Sequence, residues 1–280
     1  MIRLPVALQQ EWRHEREWLA ALPRLVADCA EEWSLVLEEP VETPHSLVVP
    51  AGDVVLKLNA PSHFEADQEA DALAAWAGRG AVRLVARADE RRALLVERCR
   101  PGTHLSASGA DEPEVLVQLL PRLSLEPEAG HPFGLLADEA DRWADEVPTR
   151  YELAGRPFER SLLDRALEVY ANVDRTATAL VNQDLHGDNV LRASREPWLV
   201  IDPKPLVGER ELDGVGLLRN VGEVNGAAEV RRWLARLGEL GLDRERLRDW
   251  GLAHALAWGT HADSSWSEWS IHVARTIAAA

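Results

Sequence analysis

Sulfur is scarce in this 280-residue chain, which has two cysteines, Cys29 and Cys99, and one methionine. Two cysteines with no CxxC pair supply neither a disulfide framework nor a zinc site, so both are expected as ordinary buried thiols of a reducing compartment. No run of about eighteen apolar residues occurs, which excludes a spanning helix, and no membrane partner is expected. The N-terminal stretch has no apolar signal-peptide core, so a cytoplasmic protein is expected. No GxxxxGK(S/T) run is present, which excludes a P-loop enzyme. Positive charge is also short, with 31 Lys and Arg against 47 Asp and Glu for a formal net charge of -16. Phosphate backbones require fields of Lys and Arg, so nucleic acid is not expected as a partner. The acidity is compatible with a cationic ligand, and equally with simple solubility.

A hydrophobic fraction of 46% is ample for a packed core and argues against wholesale disorder. Phenylalanine and tyrosine number three and two against eleven tryptophans spread along the chain, which reads as core and packing residues rather than an aromatic box. Helical spacing of Trp12, Trp18, Leu19, Leu22, Leu25, Val26 and Trp33 predicts a helix over 7–33, interrupted or kinked at Pro23. Strands are expected over 34–37, 46–50 and 54–58, the last two joined by the turn Ala51-Gly52-Asp53. Next comes a helix over 62–77, with Ser62 as N-cap and Glu65 completing a capping box. Strands over 81–86 and 93–97 follow. Beyond residue 112 the spacing is helical over 112–123, 133–146, 158–179, 227–240, 243–259 and 267–279, while 179–217 carries strand and turn signals with charged chemistry. A β-rich front and a helical back predict an α+β chain of two unequal lobes.

The chemistry is concentrated in Gln183-Asp184-Leu185-His186-Gly187-Asp188-Asn189-Val190-Leu191 and Trp198-Leu199-Val200-Ile201-Asp202. Asp184 precedes Asn189 by five residues across a glycine-containing loop, and a second apolar strand ends at Asp202. A hairpin of this kind can gather Asp184, Asn189 and Asp202 around one small volume. Phosphoryl transfer requires those residue types: a carboxylate to orient the acceptor hydroxyl, and an amide oxygen with a second carboxylate as hard ligands for magnesium. Alone, an Asp–Asn pair of this kind more often caps turns.

QDLHGDNVL resembles the catalytic loop of the aminoglycoside phosphotransferase family, closest to its streptomycin and hydroxyurea phosphotransferase branch, and WLVIDPKPLVGERELD resembles its metal-binding segment. VVLKL, EADALAAW, WAGRGAVRLV and LLVERCRPGT are similar to upstream segments of that branch in the same order, so the resemblance runs over about residues 11–275. It implies a two-lobed protein-kinase-like fold: a nucleotide-binding lobe over 1–97 with a small antiparallel sheet and one main helix, a hinge over 98–103, and a mostly helical catalytic lobe over 104–280. It implies ATP and Mg²⁺ as cofactors, with Asp184 as the catalytic carboxylate and Asn189 and Asp202 as metal ligands. It makes Lys57 the phosphate-binding lysine and Glu69 its ion-pair partner, with Glu65 and Asp67 just before it as rivals. It makes the backbone over Glu97–Cys99 the adenine contact. His186 is expected to serve the loop structurally, and Asp213 to brace it. Lys204 reaches a phosphate or pairs with an acid.

Two departures stand out. Many relatives carry His-Gly before the catalytic Asp, where this chain has Asn182-Gln183. The segment 39–49, where a phosphate-covering loop belongs, has no glycine, and Pro44 removes a donor; Ser46 or His45 is the stand-in. For the acceptor, the segment 261–269 offers Asp263, Trp266 and Glu268 as a wall for a small hydroxylated, cationic molecule. The same segment also reads as a helix start, with Ser265 capping and both tryptophans in the core. The expected activity is ATP-dependent phosphoryl transfer to a small-molecule hydroxyl, streptomycin being one candidate. A metabolic sugar or amino-alcohol kinase, and a pseudokinase that binds without transferring phosphate, are the alternatives.

Overall fold

The computed structural model describes residues 2–261 and 265–280, apart from the side chains of Glu65 and residues 221–225. Helices α1 (Val6–Glu11) and α2 (Arg16–Glu32) lead into strands β1 (Ser46–Ala51) and β2 (Val54–Asn59), then α3 (Glu69–Trp76), β3 (Leu84–Ala88) and β4 (Ala93–Glu97). Helices α4 (Glu112–Leu123), α5 (Leu136–Leu153) and α6 (Arg160–Ala171) precede the short strands β5 (Ala179–Asn182), β6 (Val190–Arg192), β7 (Trp198–Val200) and β8 (Pro205–Gly208). Helices α7 (Val215–Gly238), α8 (Arg244–Ala257) and α9 (Glu268–Ala278) complete the chain. Among the described residues no helix is long and apolar enough to cross a membrane.

The chain forms two compact units. The first comprises Met1–His104 and Leu191–Asp202. Its sheet has the order β1-β2-β4-β3, antiparallel throughout. Gly52, with φ at +61°, makes the tight β1–β2 turn. Helix α2 buries Trp18, Leu22, Val26 and Cys29, one stripe of a 3.6-residue period, against Leu47, Val49, Leu56, Leu58 and Leu95. Each large apolar side chain so buried contributes roughly 1.5–3 kcal/mol. Side chains alternate along β2, so Leu56 and Leu58 enter this core while Lys57 projects from the other face. Residues 191–202, most of the β6–β7 hairpin, belong to the same unit: the Val82 N–H donates to the Val200 carbonyl at 3.0 Å, and the Val200 N–H to the Gly80 carbonyl at 2.9 Å.

Several expectations need correction here. Pro23 lies inside α2 without breaking it; the interruption falls at residues 12–15, where the Glu15 N–H turns back to the Trp12 carbonyl. Residues 34–37 form no strand, because the Leu35 N–H closes the end of α2 on the Ala30 carbonyl and Ser34 takes a φ of +53°. The helix expected over 62–77 starts only at Glu69, after a 3-10 turn at Phe64–Ala66, so Ser62 is not its cap. The strand expected over 81–86 lies at Leu84–Ala88, since residues 80–82 bond to Val200 instead.

The second unit comprises Leu105–Val190 and Pro203–Ala280. Its core gathers Trp143, Tyr170, Trp250 and His254, with ring centroids 5.7–6.5 Å apart. Their polar atoms are used: the Tyr170 hydroxyl donates to the Ala253 carbonyl at 2.6 Å and the Trp250 indole N–H to the Glu209 carboxylate at 3.0 Å. The short pair β5–β8 aligns Asn182 with Pro205. Helix α7 begins at Val215, twelve residues before the expected 227, and breaks its helical geometry at Gly226, where φ is +75°. The cap of α9 is Ser267, whose hydroxyl accepts the Ser270 N–H at 3.3 Å, rather than Ser265.

Candidate active site

In the second unit, Asp184 follows directly on β5. Its own N–H and that of Lys204 both donate to the Asn182 side-chain oxygen, at 3.2 and 3.0 Å. The Asn182 N–H donates to the buried Asp213 carboxylate at 2.7 Å, so Asp213 braces the strand that presents Asp184. Burial pushes the Asp213 carboxyl up to about 7, partly offset by that N–H.

Three side chains converge on the Asp184 carboxylate. The Arg219 guanidinium, from α7, donates at 2.6 Å. The Asn189 amide donates at 3.2 Å, and also to the Asp184 carbonyl at 3.1 Å. Both partners are pure acceptors, so Asn189 must turn its NH₂ toward them and its oxygen elsewhere. His186 accepts the Asp188 N–H on Nδ1 at 3.3 Å, and its Nε2 lies 3.5 Å from the Asp184 carboxylate and 3.1 Å from the Asn189 amide nitrogen. Burial alone would raise the Asp184 carboxyl; the His186 hydrogen bond and the electrostatic attraction of Arg219, His186 and Lys204 outweigh it and hold the group below its ordinary range. Asp184 is therefore an ionised carboxylate. Arg219 in turn lies over the Trp258 ring at 4.9 Å, and Trp258 packs on His254 at 4.5 Å. His254 is fully buried and faces Gln183 across 3.2 Å. Burial and the Arg219 charge hold its imidazole well below the usual histidine range, hence neutral.

In the first unit, Lys57 stands between two carboxylates. Its ammonium lies 2.7 Å from Glu69 and 2.9 Å from Asp202. Burial would lower its pKa, but the charges of Asp202 and Glu69 more than compensate and hold it above the ordinary lysine range. Glu69 occupies the first turn of α3 at 2% exposure, so the rivals Glu65 and Asp67 give way to it. Asp202 has a φ of +48°, a left-handed backbone unusual for a non-glycine residue. The Glu97 side chain is tied to Arg195 at 2.8 Å and accepts the Arg83 N–H at 3.1 Å. The Glu97 and Arg98 N–H groups donate to the carbonyls of Arg83 and Asp53, at 2.9 Å each, which leaves the Cys99 amide as the candidate donor of that stretch. Burial pushes the Cys99 thiol up to about 12, so it is no nucleophile.

Asp263 lies outside the described residues. Trp266 is buried edge-on to Phe158 at 5.1 Å, a core position, and Glu268 is exposed in the first turn of α9. Ser46, a possible stand-in donor, instead commits its hydroxyl to Asn59. Arg219 and Asn59 were not singled out by sequence reasoning. The available signal for Arg219 was a lone charge closing the apolar run Val215-Gly216-Leu217-Leu218.

Magnesium requires hard oxygen donors; within the second unit Asn189 has an amide oxygen turned away from Asp184, and within the first Asp202 has a carboxylate. Among the described residues no group of three or more His, Cys, Asp or Glu side chains forms a metal cage.

A lysine held between a helix-borne glutamate and a strand-terminal aspartate, together with a loop presenting Asp184 and Asn189, marks a kinase-like phosphotransferase. The model of the aminoglycoside/hydroxyurea antibiotic resistance kinases matches residues 33–265, and the chain belongs to that family. It is 37% identical over 259 residues to a streptomycin 6-kinase of Streptomyces griseus, covering 86% of this chain and 83% of that one. It is 37% identical over 257 residues to a hydroxyurea phosphotransferase of Kitasatospora aureofaciens, covering 86% and 73%. The crystal structure of the choline kinase LicA from Streptococcus pneumoniae shares the fold at a TM-score of 0.65 and 10% identity, over 92% of this chain and 97% of that one.

Proposed function

We propose that this kinase transfers the γ-phosphoryl group of ATP to a hydroxyl of a small acceptor, with streptomycin the leading candidate. The observation that carries the reading is Lys57, buried yet held charged between Glu69 and Asp202. A lysine so prepared meets nucleotide phosphates without first having to gain a proton. The Cys99 amide faces the adenine in this reading, and Asn189 and Asp202 hold magnesium. When bound, that ion neutralises charge on the phosphates. Asp184, kept ionised, orients the acceptor hydroxyl and takes up its proton as the oxygen attacks phosphorus. The bond from phosphorus to the β-phosphate oxygen breaks, and ADP leaves. Two relatives at 37% identity, one named for streptomycin and one for hydroxyurea, support a hydroxylated acceptor.

The test is ADP release with MgATP over a panel of streptomycin, other aminoglycosides, hydroxyurea, sugars and amino alcohols. Streptomycin-dependent release of one ADP per phosphorylated acceptor is expected. Nucleotide binding without release for any acceptor would instead support a binding protein. Release with a sugar or amino alcohol alone would place the protein in metabolism.

A further inference from the structure

Behind Lys57 runs a line of buried polar side chains. Ser46 and Asn59 are cross-strand partners at one end of the β1–β2 pair. The Ser46 hydroxyl donates to the Asn59 side-chain oxygen at 2.6 Å. The Asn59 NH₂ donates to Glu69 Oε2 at 3.3 Å, the same oxygen that receives the Lys57 ammonium at 2.7 Å. All four residues are under 9% exposed.

We propose that Ser46 and Asn59 are positioning residues for nucleotide binding, a relay that fixes Glu69 and, through it, Lys57. The proposal rests on the phosphate-binding role of Lys57 given above. An asparagine amide can face either way, and its neighbours decide which. Ser46, by donating to the oxygen, obliges Asn59 to show its NH₂ to Glu69. Glu69 is then held from a second direction. It keeps its place when Lys57, shared with Asp202, turns toward a phosphate. The relay also reaches the glycine-free segment 39–49. Thr43 donates to the Ser46 carbonyl at 2.6 Å, the Trp12 indole N–H donates to the His45 carbonyl at 3.0 Å, and Val41 bridges Val48. A loop pinned by side chains on one side and joined to the lysine by Ser46 on the other makes phosphate binding depend on preorganisation rather than on flexible glycine backbone.

The experiment measures the Kd of Mg·AMP-PNP and the KM values for ATP and acceptor, with Tm alongside. The variants are Ser46→Ala, Ser46→Thr and Asn59→Asp. Asn59→Asp replaces a donor with a second carboxylate beside Glu69, so nucleotide affinity should fall by about tenfold or more, a change of about 1.4 kcal/mol. Ser46→Ala frees the Asn59 amide to turn and should weaken binding by about three- to tenfold, while Ser46→Thr, which keeps the hydroxyl, should stay within about twofold of wild type. The acceptor KM should not move for any of them. Variants that lower Tm yet bind AMP-PNP as wild type does would overturn the proposal and leave Ser46 and Asn59 as core residues only. If Asn59→Asp does not fold, the Ser46→Ala and Ser46→Thr pair decides alone. Wild-type protein that binds no nucleotide would overturn the kinase reading itself, and the relay's role with it; wild-type binding with unaltered variants would overturn the relay alone.

Discussion

Asp184 is surrounded by donors of unequal reach. His186 and Asn189 come from its own loop, whereas Arg219 comes from thirty-five residues downstream. Asp184→Ala should abolish acceptor-dependent ADP release, by at least about a thousandfold, while leaving AMP-PNP affinity near wild type. Arg219→Ala should lower kcat by about tenfold or more with little change in nucleotide Kd, because it frees the orientation of Asp184 rather than removing it. Arg219→Lys keeps the charge but loses the fork and the stacking on Trp258, so an intermediate rate is expected. Asp213 gives a pH signature of its own. Its carboxyl is raised on folding, to about 7, so below the ordinary carboxylate range it contributes no pH-dependent loss, and stability declines as pH rises from about 4 toward 7. Asp213→Asn should remove that limb and flatten a plot of denaturant midpoint against pH. Asp184, Asn189 and Asp202 could be singled out in the sequence because they lie in two short segments of distinctive pattern, QDLHGDNVL and WLVID. Asn59 and Arg219 were not, since a hydrogen bond formed only on folding leaves no local pattern to read.

The catalytic loop depends on how closely helix α7 approaches it. A Cβ at Gly216 would stand 2.5 Å from the Leu185 carbonyl oxygen and 2.8 Å from its nitrogen, both backbone atoms that cannot swing aside. Gly216→Ala should therefore move the residue next to Asp184. It should lower Tm, by about 2 kcal/mol of stability, together with kcat, which melting curves and initial rates would show. Element boundaries were legible where propensity and burial agree: Glu112–Leu123 matches its expected helix at both ends, carried by a clear apolar stripe and acids in the first turn. They were lost where glycine hides a helix. Gly214, Gly216, Gly222 and Gly226 depress the helical signal of 214–226, yet close packing of Gly214 and Gly216 is what brings α7 against its neighbours. They were also lost where apolar residues pack without pairing. Leu35 and Leu37 reach the first unit's core as a strand's residues would, but the Leu35 N–H is committed to the end of α2.

At the scale of the whole molecule, a net charge of -16 would attract a cationic acceptor and repel MgATP. Raising ionic strength from about 0.05 to 0.3 M should lower kcat/KM for a cationic acceptor by several-fold and leave that for MgATP unchanged or higher, because screening weakens both attraction and repulsion. Stopped-flow or initial-rate titrations in NaCl distinguish the two. The division of the chain also bears on how such enzymes can be recombined. Lys57 and Glu97 have their ionic partners, Asp202 and Arg195, in a stretch that follows the whole run 105–190. A chimera joined to a relative at a single junction near residue 104 would separate those partners by parentage, whereas three junctions, near residues 104, 190 and 202, would inherit them together. Exchange of acceptor specificity between members of the family is thus a problem of grafting an interrupted module, and libraries that cut once should yield fewer active enzymes than libraries that carry residues 191–202 with the N-terminal parent.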